Sequence, residues 1–208
     1  MSTPVELGLP PLPPESLDPY LDAAIRCFVR YGVHRTRIQD VADEIGVNRV
    51  TVYRQVGPLR ELTALLVSRD LHRLVVSVLG EIADPLDASA LVSMLTAGIR
   101  AARAHPVLAK VLADEPELLA PLAVAGMPHL LDRVVPAVLG LIQLANSEGS
   151  LSVDHPPVVA DVVVRLAVSL VVTPPGGDLE AYLSVVLPPI LGATSPTGRS
   201  ATRSTRRR

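Results

Sequence analysis

Apolar residues recur at helical spacing near the start of the chain. From Leu17 to Tyr31 they fall three or four positions apart, which predicts a first helix that Gly32 ends. A second, shorter stripe follows, formed by Ile38, Val41, Ala42 and Ile45. The pattern therefore predicts two helices before residue 46, and the second spans barely two and a half turns.

The connections around the second helix carry clear capping signals. Thr36 and Gln39 match the T-x-x-Q capping box, which predicts the helix start. Gly46 suits the left-handed conformation that ends a helix, and Asn48 can cap the next helix through its side-chain oxygen. Two helices separated by so short a turn are typical of a helix-turn-helix.

The third helix is predicted to end at Gly57-Pro58. Its buried face has two alternatives at one position, Val50 or Val52, followed by Tyr53 and Val56. The exposed face would carry groups that can hydrogen-bond base edges or phosphates. These are Arg49, Thr51, Arg54 and Gln55.

The rest of the chain predicts longer helices divided by proline and glycine. No period-2 alternation and no phosphate-binding glycine loop interrupts them, so the fold class is all-α. A three-helix DNA-binding domain over residues 17–58 would precede a larger helical domain over residues 59–193. The predicted body helices are Leu59 to about Ile82, Ala88–His105, Pro106–Ala113, Glu115–Ala125, Pro128–Glu148, Pro157–Thr173 and Leu179–Gly192.

The last two predicted helices are apolar on nearly every side. A helix of this kind must be covered by protein on more than one face, which a small monomer achieves with difficulty. We therefore expect a homodimer formed through residues 157–192, with a fully internal core as the alternative.

Both ends of the chain have biased compositions. Residues 1–16 are proline-rich and are expected to form a disordered arm, and residues 194–208 form a basic, low-complexity tail that is also expected to be disordered. The tail can add non-specific DNA affinity or maintain solubility, and the sequence leaves both open.

Composition excludes several classes. Hydrophobic residues make up 49% of the 208, enough for a real core, whereas aromatics make up 2%, too few for a base-stacking single-strand platform. The lone Cys27 forms no intramolecular disulfide, the N-terminus lacks a secretory pattern, and no uncharged apolar run reaches about 18 residues. A cytoplasmic protein that does not span a membrane is expected.

Charge is unevenly distributed. The net charge is -2, yet residues 23–60 carry seven arginines against three acidic residues. Residues 61–198 carry seven basic against fourteen acidic residues. A small basic head on an acidic body favours a polyanion-binding head, although ordinary surface variation gives the same pattern.

The segment LDAAIRCFVRYGVHRTRIQDVADEIGVNRVTVYRQVGPLREL resembles the DNA-binding domain of the TetR family of transcriptional regulators. The resemblance covers roughly residues 17–65 and includes A-x-x-x-F-x-x-x-G in helix one and G-V-x-x-x-T-x-Y across the turn. It implies that Thr36 and Arg37 contact the DNA backbone. Base contacts are implied for Arg49, Val50, Thr51 and Arg54, and contacts with phosphates or neighbouring bases for Tyr53 and Gln55.

Two positions depart from the family pattern. Leu59 stands where the family usually has a phosphate-binding Lys, with Arg60 beside it as the candidate contact, and Val33 replaces the usual aromatic after Gly32. The resemblance further implies a ligand-responsive homodimeric repressor that binds a near-palindromic operator.

The apolar body suits a cavity in which a few polar groups orient a small apolar effector of unknown identity. No cofactor and no metal is expected. Each polar candidate is, taken alone, more often a surface or structural residue. The candidates are His72, Arg100, His105, His129 and Gln143.

Two alternatives to a DNA-binding regulator remain. An enzyme is disfavoured because the five histidines show no metal-ligand spacing and Cys27 lies on an apolar helix, where a packed thiol is expected. The second alternative is an all-α interaction or small-molecule-binding module that keeps the fold without specific DNA binding. It is favoured because Leu59 replaces the usual phosphate-binding Lys, and it is opposed by the seven arginines of residues 23–60. Salt-dependent binding to duplex DNA distinguishes the two.

Overall fold

The regular structure of the described residues is entirely helical. The computed structural model describes residues 11–80 and 84–192. The helices found in these residues confirm the predicted all-α fold class. In chain order the helices are α1 (Asp18–Tyr31), α2 (Ile38–Ile45), α3 (Arg49–Val56), α4 (Leu59–Leu79), α5 (Ala88–Ala104), α6 (Pro106–Asp114), α7 (Met127–Ser147), α8 (Pro156–Val172) and α9 (Leu179–Ile190).

Buried side chains form two separate clusters. The first lies among α1, α2, α3 and the start of α4, and the second among α5, α7, α8 and α9. Helix α4 spans both, since Leu62 and Leu66 lie in the first cluster and Val78 and Leu79 pack against the second. The first core thus extends past the predicted boundary at residue 58, because the three short helices need α4 to cover their apolar faces.

Prolines and glycines set most of the observed helix ends. Helix α6 begins at Pro106, as predicted, because proline is favoured in the first helical turn, where its missing N–H costs no hydrogen bond. The segment predicted as a helix over residues 115–125 is helical, but it consists of short turns of three different kinds. These are a 3₁₀ turn, one α-helical turn and a π-helical turn over Pro116–Leu118, Leu119–Pro121 and Leu122–Gly126, leading into α7.

The proline-rich arm is packed where the structure describes it. Pro13 is buried, and the Ser68 hydroxyl of α4 donates a hydrogen bond of 2.7 Å to the Pro11 carbonyl. The arm is therefore ordered against α4 from residue 11, in contrast to the disorder predicted over residues 1–16. Residues 1–10, the end of the fourth predicted helix at residues 81–83 and the predicted tail lie outside the described residues.

One helical stretch, Pro116–Ser147, is long and apolar enough to cross a membrane by length and composition, with a mean hydropathy of 1.4. Core helices of water-soluble proteins have the same composition. Only 12% of its most apolar window is buried, yet Leu141, Ile142 and Ala145 of this stretch lie in the second core. Its C-terminal part is thus a core helix of the body.

Candidate nucleic-acid interface

The turn between α2 and α3 has the geometry predicted from its glycine and asparagine. Gly46 adopts a left-handed conformation with φ of 69°, and the Val47 amide donates to the Ala42 carbonyl at 3.0 Å. The Asn48 side-chain oxygen accepts from the Val50 amide at 2.8 Å and caps α3. These bonds fix the start of α3 relative to α2.

The start of α2 differs from the prediction by one residue. Arg37, not Thr36, is the N-cap residue, and its amide donates to the Asp40 carboxylate at 2.7 Å. The predicted box of Thr36 and Gln39 is therefore wrong. The Thr36 hydroxyl instead donates to the Gly32 carbonyl at 2.7 Å, within the loop that precedes α2.

Thr36 is 3% exposed, so its side chain has no access to a phosphate in this conformation. The family resemblance implied that Thr36 contacts the DNA backbone. The structure gives it an internal role, because its only hydroxyl proton is already donated to Gly32.

The structure shows which side chains form the buried face of α3. Val52 and Val56 are buried, whereas Val50 is 71% exposed and Tyr53 is also exposed. The alternative with Val52 inside is therefore confirmed, and Tyr53 is not part of the core. With 3.6 residues per turn, Arg54 lies on the side of the helix opposite the two buried valines.

The remaining predicted DNA contacts keep access to solvent. Thr51 is half-buried on α3. The others are exposed on α3, at the N-cap of α2 or in the first turn of α4. They are Arg37, Arg49, Val50, Tyr53, Arg54, Gln55 and Arg60.

Two of the seven arginines in this region share one carboxylate of the protein. Arg26 and Arg30 of α1 contact the Glu44 carboxylate at 2.7 and 2.9 Å. The hydrogen bond from Arg26, with the charge of Arg30, holds the pKa of Glu44 below its usual value. These two arginines form a bridge between α1 and α2.

The other five arginines form no ion pair with any residue that the structure describes. All five are exposed, so their charge is available to a polyanion. They include Arg35, which was not among the predicted contacts although it lies two residues before Arg37 in the same loop. The set is Arg35, Arg37, Arg49, Arg54 and Arg60.

The five polar residues predicted to line an effector cavity are not brought together. Arg100 pairs with Asp178 at 3.5 Å, His105 lies 3.0 Å from Asp70, and His129 and Gln143 are exposed on α7. His72 borders an open groove of about 310 Å³ beside the N-terminal arm. The structure therefore does not support a shared ligand site for these side chains.

Cys27 has the environment of a packed thiol. It is fully buried in the first core, and this burial raises its pKa, so the thiol stays protonated near neutral pH. Among the residues described, no group of three His, Cys, Asp or Glu side chains is placed to hold a metal ion.

Comparisons with known proteins agree with this geometry. The family profile "Bacterial regulatory proteins, tetR family" matches residues 21–55, which run from α1 almost to the end of α3. No curated protein sequence matches the chain significantly.

Solved structures share the fold over most of their length. The Dietzia repressor AlkX has 20% identity and a TM-score of 0.60, covering 83% of this chain and 93% of its own. The R. erythropolis repressor QsdR has 19% identity and a TM-score of 0.62, covering 88% of this chain and 98% of its own. The Bacillus subtilis regulator FadR, solved with stearoyl-CoA, has 15% identity and a TM-score of 0.61, with coverages of 86% and 99%.

Proposed function

We propose that this chain, a TetR-family protein by its helix-turn-helix domain and its fold, is a homodimeric, ligand-responsive transcriptional repressor that binds duplex DNA. One observation carries the proposal. Helix α3 is held by Gly46 and Asn48, while its outer surface presents Arg49 and Arg54, which pair with no carboxylate of residues 11–80 and 84–192. A helix fixed in this way can enter the major groove with its N-terminal residues against base edges.

The proposed contacts divide by chemistry. Arg49 and Arg54 can donate two hydrogen bonds to guanine, and Val50 and Thr51 can contact base edges or the thymine methyl. Tyr53 and Gln55 would contact phosphates or neighbouring bases.

Contacts that position the protein without reading sequence come from outside α3. Arg37 at the α2 N-cap and Arg60 at the start of α4 are exposed guanidiniums suited to phosphate. Arg35 joins this group on the strength of its exposure and position, and Arg60 would replace the family Lys whose place Leu59 occupies.

An exposed apolar stripe supports the homodimer. On α8 the side chains of Val158, Val162 and Val172 are exposed, and on α9 those of Tyr182 and Val185. All five side chains lie within the predicted interface of residues 157–192, where a second copy would cover them. Two copies of α3 would then occupy successive major grooves about 34–36 Å apart, which requires a near-palindromic operator.

The ligand response is proposed from the same body. An effector that binds one spacing of the two recognition helices better than another shifts the population towards that state and changes DNA affinity. The apolar composition of the body favours a small apolar effector, and FadR, which was solved with stearoyl-CoA, provides a precedent on the same fold. Such a regulator acts in the cytoplasm, where its DNA lies.

Selection from a random duplex library tests this function. The purified full chain should enrich a near-palindrome whose half-sites lie about 10 base pairs, or a multiple of this, apart. Failure to enrich any motif, with a folded protein, would contradict the proposal and favour the interaction module.

A further inference from the structure

Helix α6 contacts α4 at its N-terminal end and the loop before the helix-turn-helix at its C-terminal end. At its N-cap, His105 Nε2 lies 3.0 Å from Asp70 Oδ2 of α4. At its C-cap, the Glu115 carboxylate reaches the loop between α1 and α2. Between these ends Val107 packs against the first core. Helix α6 thus connects the body to the helix-turn-helix.

The contact at Glu115 is buried and directed at main-chain amides. Glu115 is 8% exposed, its Oε2 accepts from the Val33 amide at 2.7 Å, and its Oε1 lies 3.4 Å from the His34 amide. Gly32 makes the approach possible. Its φ is 90°, and a Cβ there would lie 2.6 Å from Oε1. The loop therefore has a backbone conformation and a missing side chain that both accommodate this carboxylate.

The same loop carries two of the exposed arginines. Its interior is held by Thr36, whose hydroxyl donates to the Gly32 carbonyl, and by the Arg37 amide, which donates to Asp40. Arg35 and Arg37 themselves project into solvent. Their positions relative to α3 therefore depend on a loop whose first residues are held by the body.

We propose that Glu115 is a positioning residue of the DNA interface, through which α6 sets the conformation of residues 32–37 and with it the phosphate contacts of Arg35 and Arg37. The inference rests on the proposed DNA binding and adds a route by which the body controls it. A shift of α6 that withdraws the carboxylate leaves two amides without their acceptor and releases the loop. DNA affinity then falls although α3 itself is unchanged.

The test compares Glu115→Gln with the matched control Glu117→Gln. Both remove one negative charge beyond the same end of α6, but Glu117 is exposed. Hydrogen exchange of the Val33 and His34 amides, followed by NMR on the full chain, should accelerate about tenfold or more in Glu115→Gln, as expected for weakening a charge-assisted bond, and stay unchanged in Glu117→Gln. Unchanged exchange in Glu115→Gln would overturn the contact.

DNA affinity gives the second readout. Glu115→Gln should bind all duplexes about fivefold to tenfold more weakly, because phosphate contacts carry no sequence information. In a chain that also has Arg35→Ala and Arg37→Ala, Glu115→Gln should have no further effect on affinity. The same loss in both backgrounds would mean a general destabilisation and would overturn the positioning role.

The two failures are distinguishable. If the wild-type chain binds no duplex, the proposed function fails, while the amide exchange still reports whether Glu115 holds the loop. If the wild-type chain binds DNA and Glu115→Gln binds it equally well, only the positioning role fails.

Discussion

Arg69 of α4 and Asp22 of α1 lie 2.7 Å apart, Nη1 to Oδ1, with the Arg69 side chain only 2% exposed. The same guanidinium contacts Asp18 at 3.0 Å and Asp70 at 2.9 Å. One buried cation therefore holds three carboxylates and ties the first helix of the DNA-binding domain to the helix that continues into the body.

Loss of this cation should be costly. Arg69→Met leaves Asp18, Asp22 and Asp70 without their shared partner, and we expect the free energy of unfolding to fall by about 1.5–3 kcal/mol, the range for lost hydrogen bonds to charged groups, since the three carboxylates are themselves partly exposed. Urea denaturation followed by circular dichroism measures it. Arg73→Met is the control, because Arg73 is half exposed and its one ion pair within the described part of the chain is with Asp18, and its effect should stay within about 1 kcal/mol. Equal losses in both variants would contradict the account.

The same cluster predicts a loss of stability in acid. The hydrogen bond from Arg69 holds the pKa of Asp18 below its ordinary value of 3.8. Burial alone would raise the pKa of Asp70, but hydrogen bonds from His105 and Arg69 outweigh it and lower the pKa. Carboxylates with lowered pKa values stabilise the fold above pH 3.8, and this contribution is lost as the pH falls through their folded pKa values.

Urea denaturation at pH values between 2 and 7 tests the predicted loss of stability in acid. The unfolding free energy of the wild type should decline below about pH 4, and that of Asp18→Asn should decline less steeply, since one of the responsible groups no longer titrates. A parallel decline in the two proteins would exclude Asp18 as a contributor.

Base readout and phosphate contact should separate by mutation. Arg49→Ala should relax specificity by about 1–3 kcal/mol at one operator position, and Thr51→Ala should also relax it, whereas Arg37→Ala should weaken every duplex alike. Affinities for a set of single-base operator variants measure the difference. Identical specificity profiles for the wild type and Arg49→Ala would refute the base-reading role.

The dimer surface is testable with a single charge. Val185→Asp places a carboxylate in the exposed stripe of α9 and should shift the protein from dimer to monomer, because a charge at the centre of an apolar interface loses its hydration. Sedimentation velocity measures the assembly state. Val67→Asp, at an exposed valine of α4 outside the stripe, is the control and should leave the dimer intact. A monomeric wild type, or dimers in both variants, would contradict the interface.

Most of the fold could be predicted because local signals mark its helix ends. Pro106 starts α6, and Gly46 and Asn48 shape the turn between α2 and α3. These signals act within a few residues, so a single sequence contains them in full. The helix predicted over residues 115–125 is helical in the structure, but its 3₁₀ and π-helical turns at Pro116–Leu118 and Leu122–Gly126 could not be predicted from the spacing of apolar residues.

The site was predictable only in part, because long-range contacts decide it. The sequence before α2 matches a capping box at Thr36. In the structure, however, the loop between α1 and α2 is held by the Glu115 carboxylate, which accepts from the Val33 amide 82 residues away in the sequence. Likewise, Arg100 could be named as a polar candidate in an apolar body, but the sequence could not show that it pairs with Asp178 of another segment. Burial and partners of this kind follow from packing, which the sequence pattern does not specify.

The central claim is sequence-selective binding of duplex DNA, and fluorescence anisotropy across a salt series tests it most directly. The DNA flanking the coding region of this protein is compared with a scrambled duplex. The account predicts tighter binding to the flanking DNA and a linear fall of log affinity with log salt, because phosphate contacts release counterions. Absence of binding to both duplexes at low salt would contradict it.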